Sequence, residues 1–121
     1  MPIFELNTNV PRSKITKDFL IGTSKVIAKT LGKPESYVVI QVNPDQLVLW
    51  GGSDEPCGFA SLKSIGQLGV QENKKHAAAI SEYLDKNLGI PRDRLYVHFV
   101  DAPASDIGYN NTTFHEIFGG R

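Results

Sequence analysis

The sequence has a single cysteine, no long apolar run and no excess of charge of either sign. Of its 121 residues only Cys57 carries a thiol, so the chain can form neither an internal disulfide nor a thiolate metal site. Thirteen basic residues balance thirteen acidic ones, which argues against nucleic acid as the main partner because such proteins usually present a basic face. No stretch approaches the roughly 18 to 20 apolar residues of a membrane span. These absences predict one small globular domain, residues 1–121.

The N-terminus lacks a basic segment followed by an apolar run, so no secretory signal is predicted and a cytoplasmic location is the default. Asn110 and Asn111 nevertheless begin triplets of the glycosylation-acceptor type with Thr112 and Thr113. Because no signal peptide is present, we interpret this stretch as a polar turn.

Hydrophobic periodicity predicts two long helices separated by strands. Apolar residues recurring every 3.6 positions or so indicate a helix that ends at Leu31 and a second helix over 70–88. A glycine and then a proline follow each helix, which is typical of helix ends because glycine readily adopts the left-handed conformation just past the last turn. Alternating or β-branched runs predict strands at 3–7, 37–43, 47–50, 57–65, 95–101 and 107–109.

The two helix exits resemble each other. Leu31-Gly32-Lys33-Pro34 and Leu88-Gly89-Ile90-Pro91 are 57 residues apart, and a seven-residue strand follows each. Each half is then a strand–helix–strand unit, whose right-handed crossover makes its two strands parallel. Two such pseudo-repeats, roughly 2–50 and 57–109, predict an α+β fold in which a four-stranded sheet carries two antiparallel helices on one face. The alternative is that leucine, glycine and proline in this order are merely common at helix ends.

The second face of this sheet would need a cover of its own. We expect that Val39 and Val42, or Val97 and Phe99, cannot all point toward the helices. The short strands at 47–50 and 107–109 are suited to sheet edges. A homo-oligomer that packs sheet against sheet would cover both the open face and the edges.

Most familiar catalytic motifs are missing from the sequence. It contains no G-x-S-x-G elbow and no phosphate-binding glycine loop. The histidines at 76, 98 and 115 have no metal-ligand spacing among themselves. Lys74-Lys75-His76 is interpreted as a solvated helix face.

Pro2, directly after the initiator methionine, allows two interpretations. It can simply begin an edge strand, where a residue without an N–H leaves no ladder donor unused. Alternatively, removal of Met1 would turn its nitrogen into a secondary amine, a basic group. Burial in an apolar pocket and a nearby cation, with Lys33 the candidate, would lower the pKa of that amine and let it act as a base near neutral pH.

A series of short motifs resembles the macrophage migration inhibitory factor family of the tautomerase superfamily over nearly the full chain. No single motif is decisive, but together and in order they are highly specific. They are Met1-Pro2-x-Phe4, Asn7-Thr8-Asn9-Val10-Pro11, Gly32-Lys33-Pro34, Tyr37, Pro44-Asp45-Gln46-Leu47, Gly51-Gly52-Ser53, Glu55-Pro56-Cys57, Ser64-Ile65-Gly66, Tyr96 and Gly108-x-Asn110-Asn111-x-Thr113-Phe114.

The resemblance implies a homotrimer whose sheets form a central barrel wrapped by helices. It also implies keto–enol tautomerase activity toward phenylpyruvate-type substrates, that is small aromatic 2-oxo acids, and toward dopachrome derivatives. No metal or organic cofactor is expected. A cell-surface receptor is a further implied partner, which would require secretion by a route without a signal peptide.

The resemblance also implies roles for particular residues. Pro2 would be the catalytic base, and Lys33 would meet the substrate anion. Ser64 and Ile65 match the strand end beside the base, where the Ile65 backbone helps to bind substrate. Tyr96 matches a tyrosine supplied by the neighbouring subunit. Residues that match positions around the pocket mouth are Tyr37, Ile107, Tyr109 and Phe114.

The sequence departs from the family pattern at four places. His98 stands where many members have asparagine at a substrate-contacting position, which predicts a more pH-sensitive activity. Tyr109 stands where tryptophan is common, so substrate preference is expected to shift. Ala60 replaces the second cysteine of a C-x-x-C pair, which removes that dithiol and argues against thiol–disulfide oxidoreductase activity. The tail 115–121 runs beyond the usual end and either extends a strand onto a neighbouring subunit through Ile117 and Phe118 or is disordered.

Two main functions therefore remain open from the sequence. The first is an enzyme that tautomerises phenylpyruvate or dopachrome. The second is a secreted receptor-binding signalling protein in which catalysis is vestigial. A purely structural trimer is a third alternative.

Overall fold

The computed structural model describes residues 1–119 and has two layers, a four-stranded mixed sheet and two long helices packed on one of its faces. The strands occur in the order β2-β1-β3-β4. The outer pairs, β1 with β2 and β3 with β4, are parallel, whereas β1 and β3 are antiparallel. The expected α+β fold is confirmed. The elements are β1 (Pro2–Thr8), α1 (Lys17–Leu31), β2 (Val39–Asn43), β3 (Gly58–Ser64), α2 (Val70–Leu88), β4 (Leu95–Asp101), β5 (Gly108–Tyr109), β6 (Thr112–Thr113) and α3 (Phe114–Ile117).

Both long helices end at the predicted glycines. Gly32 and Gly89 adopt left-handed conformations, with φ of 66° and 70°, which a residue with a Cβ adopts only at a cost. At its other end α1 is capped by Thr16, whose hydroxyl accepts a hydrogen bond from the Phe19 N–H at 3.0 Å. These caps fix where α1 stops and therefore where Lys33 begins the return to the sheet.

The core lies between the helices and one face of the sheet. Alternate residues of β1 and β3, including Phe4, Leu6 and Leu62, are buried there against Ile27 and Leu84. Strand alternation explains the pattern, because every second side chain points to the same face.

The expectation for the helix-free face holds for one pair of residues and is wrong for the other. Val39 is exposed at 51% while Val42 packs on the helix side, whereas Val97 and Phe99 both pack on the helix side. Alternation leaves both apolar and polar residues on the helix-free face, and of the apolar or aromatic ones (Ile3, Val39, Phe59, Tyr96 and Val100) Val39, Phe59 and Tyr96 are exposed at 51%, 46% and 70%. The other residues of this face are polar. They are Glu5, Asn7, Gln41, Asn43, Ser61, Lys63 and His98.

The two short strands predicted at sheet edges are not found there. Residues 47–50 form no strand, and Trp50 makes only an isolated bridge with Ser53. The strand predicted at 107–109 is present as β5, but it pairs with β6 in a separate hairpin and not with the sheet edge. Asn110 and Asn111 form the hairpin turn with φ of 52° and 70°, which confirms the predicted polar turn.

The described part of the tail folds back as a helical turn and does not extend as a strand. α3 begins at Phe114, which is 3% exposed, and the Phe118 N–H donates to the Phe114 carbonyl at 2.9 Å. The buried Phe114 ring anchors this turn, so both expected alternatives are wrong for residues 115–119. Gly120 and Arg121 lie outside the described residues.

No helix within residues 1–119 has both the length and the apolar character needed to cross a membrane.

Candidate functional site

The chain terminus is buried at one end of the central strand pair. β1 begins at Pro2, whose partner in β3 is Ser64. Pro2 is less than 2% exposed and Met1 is 8% exposed. With Met1 in place the Pro2 nitrogen is an amide, and the free amine is that of Met1.

Lys33 lies beside this terminus. Its Nζ donates a hydrogen bond to the Ile65 carbonyl at 2.6 Å, which joins the end of α1 to the end of β3. Burial lowers the pKa of Lys33, and the negative charge of Asp101 partly opposes that shift. An ammonium has three donors, so one bond to Ile65 leaves two for an anionic ligand.

The terminal amine experiences the same surroundings. Burial lowers the pKa of the Met1 amine, and repulsion from the positive charge of Lys33 lowers it further. Both effects favour the uncharged amine, which is the form that can accept a proton. A terminus that is buried beside a lysine is therefore uncharged at a lower pH than an exposed one.

The segment after β3 is held by side chains at three successive carbonyls. Lys33 binds the Ile65 carbonyl, the Ser64 hydroxyl donates to the Gly66 carbonyl at 2.9 Å, and a His76 ring nitrogen lies 2.8 Å from the Gln67 carbonyl. The Gly66 N–H in turn donates to Asp101 at 3.0 Å. A segment held at so many points presents its backbone in a fixed position.

Two of these partners were missed by reasoning from sequence. Asp101 ends β4, and the parallel pairing of β3 with β4 places it opposite Ser64. His76 is 2% exposed, so its assignment to a solvated face is wrong. The signal was present, because His76 precedes the core residue Ile80 by four positions and so shares its face of α2.

Three aromatic rings near the end of the chain cluster with Tyr37 from the segment after α1. The Tyr109 and Phe114 rings stack with centroids 5.2 Å apart, and Tyr37 meets both edge-on at 5.7 and 5.8 Å. Phe118 adds a fourth ring 5.5 Å from Phe114. Ile107 joins the group through its carbonyl, which accepts the Phe114 N–H at 3.1 Å.

This cluster lies at the Pro2 end of the sheet. Tyr37 precedes Val39 by two residues, and Val39 is the β2 partner of Ile3. The loop with Ile107 and Tyr109 likewise follows β4 at Asp101. The structure thus brings the predicted pocket-mouth residues to the end of the sheet that holds the terminus.

Tyr96 and His98 are not brought to this end within one chain. Tyr96 pairs with Phe59, five residues from the Ser64 partner of Pro2, a distance of about 17 Å along a strand. Both side chains belong to the helix-free face. Tyr96 is 70% exposed, and its ring contacts the ring of Trp50. A role for either residue at the terminus of Pro2 requires a second copy of the chain, so it stays a prediction.

The remaining candidate chemistry is sparse. Cys57, which directly precedes β3, is a free, fully buried thiol, and Ala60 lies within β3 as part of the core. Within residues 1–119, no three His, Cys, Asp or Glu side chains are grouped so that they could hold a metal ion.

Comparison with known proteins places this arrangement in a family. The family model described as Macrophage migration inhibitory factor (MIF) matches residues 1–115. A macrophage migration inhibitory factor homolog of Trichuris trichiura is 50% identical over 114 residues, which cover 94% of this chain and 100% of that protein. The macrophage migration inhibitory factor of Mus musculus is 38% identical over the same length, covering 94% and 99%.

A solved structure agrees with these sequence relatives. The macrophage migration inhibitory factor from Trichinella spiralis superimposes with a TM-score of 0.89 at 43% identity, covering 93% of this chain and 99% of that one. The chain therefore belongs to the macrophage migration inhibitory factor family.

Proposed function

We propose that this chain is a keto–enol tautomerase of the phenylpyruvate and dopachrome type, with the amine of Pro2 as its base once Met1 has been removed. Its family is part of the tautomerase superfamily, which supports an isomerase-type activity in general. The particular reaction and its base are the proposal.

The observation that carries this proposal is the buried terminus beside Lys33. The Met1 amine already has a lowered pKa from burial and from Lys33. Removal of Met1 would move the amine one residue inward, to Pro2, which is even less exposed. Although a secondary amine is intrinsically more basic, the same two causes would lower the pKa of the Pro2 amine and keep a useful fraction uncharged near neutral pH.

The proposed reaction moves one proton within the substrate. The lone pair of Pro2 takes a proton from the carbon next to the carbonyl, and the electron pair left behind forms the carbon–carbon double bond of an enolate. The protonated Pro2 then gives that proton to the enolate oxygen, which regenerates the base, so the keto and enol forms differ in the position of one proton and of the double bond. Lys33 would bind the substrate carboxylate through its two remaining N–H donors. A positioned base of this kind contributes about 10²–10⁴-fold to the rate.

The decisive experiment combines intact mass with phenylpyruvate tautomerisation. We expect wild-type protein without Met1 to turn over phenylpyruvate, and the Pro2→Gly variant, which retains a less basic primary amine, to be strongly impaired. Undetectable turnover in wild-type protein shown by mass to lack Met1 would contradict the proposal.

We also propose that the active form is a homotrimer. The helix-free face of the sheet is exposed in one chain, and Tyr96 and His98 lie on it, away from their own Pro2. Leu47 and Leu49 are exposed at 104% and 72%, and a neighbouring subunit would cover such apolar side chains. Sedimentation at micromolar concentration tests this assembly, and a monomeric mass would contradict it.

A second candidate function is signalling. The relatives from Mus musculus and Trichuris trichiura are named for the inhibition of macrophage migration. By analogy, this chain would bind a cell-surface receptor as a trimer. Binding of the trimer to a receptor ectodomain, measured with and without an active-site ligand, tests this candidate. Full turnover without receptor binding would favour the enzyme alone.

A further inference from the structure

His76 is a buried histidine with both ring nitrogens in hydrogen bonds. Its Nδ1 lies 2.8 Å from the Thr30 hydroxyl and its Nε2 lies 2.8 Å from the Gln67 carbonyl. A carbonyl only accepts, so Nε2 carries the hydrogen, and in the neutral ring Nδ1 accepts from Thr30. Thr30 and His76 are 6% and 2% exposed. We refer to Thr30, His76 and the Gln67 carbonyl as the histidine bridge.

The backbone at Gln67 indicates that the bridge holds a strained segment. Gln67 has φ of 61°, in the left-handed region. The other residues with side chains in that region are Asp45, Asn110 and Asn111, whose types tolerate it well, whereas glutamine is not among the favoured types. Such a conformation persists only where surrounding contacts fix it. The bond from His76 to the Gln67 carbonyl is such a contact.

The histidine bridge spans the same two segments as the candidate site. Thr30 lies three residues before Lys33, and Gln67 lies two residues after Ile65. The bond from Lys33 to the Ile65 carbonyl and the histidine bridge therefore connect the end of α1 to the end of β3 twice. Two connections between the same segments restrict their relative movement far more than one.

We propose that His76 is a positioning residue, which keeps Lys33 and the Ile65 segment at the spacing needed to bind a substrate carboxylate. This inference rests on the proposed tautomerase function. His76 lies on α2 and contacts neither Pro2 nor Lys33 directly through a hydrogen bond, so it acts through the position of the segment. Loss of the bridge should weaken recognition of the anionic group more than proton transfer at Pro2.

The cleanest perturbation is Thr30→Val, which removes one hydroxyl and keeps the side-chain shape. Thr23→Val is a matched control, since Thr23 is also buried on α1, at 3% exposure, but its hydroxyl donates to the Phe19 carbonyl. Each variant is assayed with dopachrome, which carries a carboxylate, and with dopachrome methyl ester, which does not.

We expect Thr30→Val to lower kcat/KM for the carboxylate substrate by about 10-fold, which is the size of one weakened bond to a charged group. For the ester, kcat/KM should change by no more than about 2-fold. Thr23→Val should leave the ratio of the kcat/KM values for the two substrates unchanged. His76→Gln, which retains an N–H donor, should preserve more of the ratio than His76→Leu. Equal losses on both substrates in Thr30→Val would overturn the proposal, because a general loss of structure has that signature.

Amide hydrogen exchange separates this inference from the proposed function. The Gly66 and Lys33 N–H groups are hydrogen-bonded, to Asp101 and to the Ala28 carbonyl, so their exchange rates report on the two segments. Faster exchange at both amides in Thr30→Val, but not in Thr23→Val, supports the bridge even if the wild-type protein shows no turnover. Unchanged exchange in Thr30→Val would overturn it whatever the activity.

Discussion

Replacing Lys33 with methionine tests the electrostatic basis of the site. The change Lys33→Met keeps an unbranched side chain of similar length but removes the ammonium. It thus removes the donor to the Ile65 carbonyl at 2.6 Å and the positive charge that lowers the pKa of the terminal amine. Two separate effects on activity should follow, one on substrate binding and one on pH dependence.

The binding effect can be sized from the donors of Lys33. A hydrogen bond to a charged group contributes about 1.5–3 kcal/mol, and Lys33 is only partly buried, so we take the lower half of that range. This corresponds to a loss of about 10- to 50-fold in kcat/KM for phenylpyruvate, since 1.36 kcal/mol is tenfold. Most of the loss should appear as a higher KM.

The pH effect has a definite sign. The base works when unprotonated, so a lowered pKa of the amine extends activity to lower pH. Removing the Lys33 charge raises the pKa of the amine, and the acid limb of kcat/KM should move to higher pH. Burial, the larger cause of the lowered pKa, remains in the variant. The pKa read from the acid limb should therefore stay below the usual range of terminal amines.

Steady-state kinetics with phenylpyruvate between pH 5 and 9 measure both effects. Lys29→Met is the matched control, because Lys29 lies in the last turn of the same helix and lines the cleft between α1 and α2. It removes the same charge without touching Ile65. If Lys33→Met and Lys29→Met give the same kcat/KM and the same acid limb, Lys33 has no part in the site.

Three further changes test other parts of the account. His98→Asn removes a side chain of the type that titrates between about pH 5 and 8, so kcat/KM should vary less with pH, and an unchanged profile would argue against a place for His98 in a shared site. Phe118→Ala removes the ring 5.5 Å from Phe114 and should lower the free energy of unfolding by about 0.5–1.5 kcal/mol, seen as a lower Tm; an equal Tm would mean that the tail adds no stability. Gly22→Ala would place a methyl group against the Tyr83 hydroxyl, and we expect a loss of about 1–3 kcal/mol in urea unfolding. A wild-type urea midpoint would show that the Tyr83 side chain can move aside at no cost.

Most of the fold could be predicted from the sequence because its signals are local. The glycines at 32 and 89 end both helices as expected, and the strands that follow pair in parallel with the strands that precede. The strand predicted at 47–50 is wrong. Leucine and valine favour strands, but a strand also needs the free edge of another strand to pair with. The arrangement of distant segments, or another subunit, decides whether a free strand edge is available. The local sequence pattern does not show this.

The site was predictable to a lesser degree. The resemblance identified Pro2, Lys33 and Ile65 as a group, and the bond between the last two agrees with it. His76 was assigned to the surface because two lysines precede it, although its spacing to Ile80 indicated the buried face. The contact of His76 with Gln67 joins a helix to a loop through an unusual backbone angle, which sequence patterns do not encode.

The central claim is that the Pro2 amine is the base, and its titration tests the claim most directly. The measurement is the ¹⁵N chemical shift of Pro2 as a function of pH in protein shown by mass to lack Met1. We predict a pKa below the range of about 7.7–8.0 that is usual for terminal amines, equal to the pKa of the acid limb of kcat/KM and higher in Lys33→Met. A Pro2 pKa above that range, or an acid limb that does not follow it, would contradict the account.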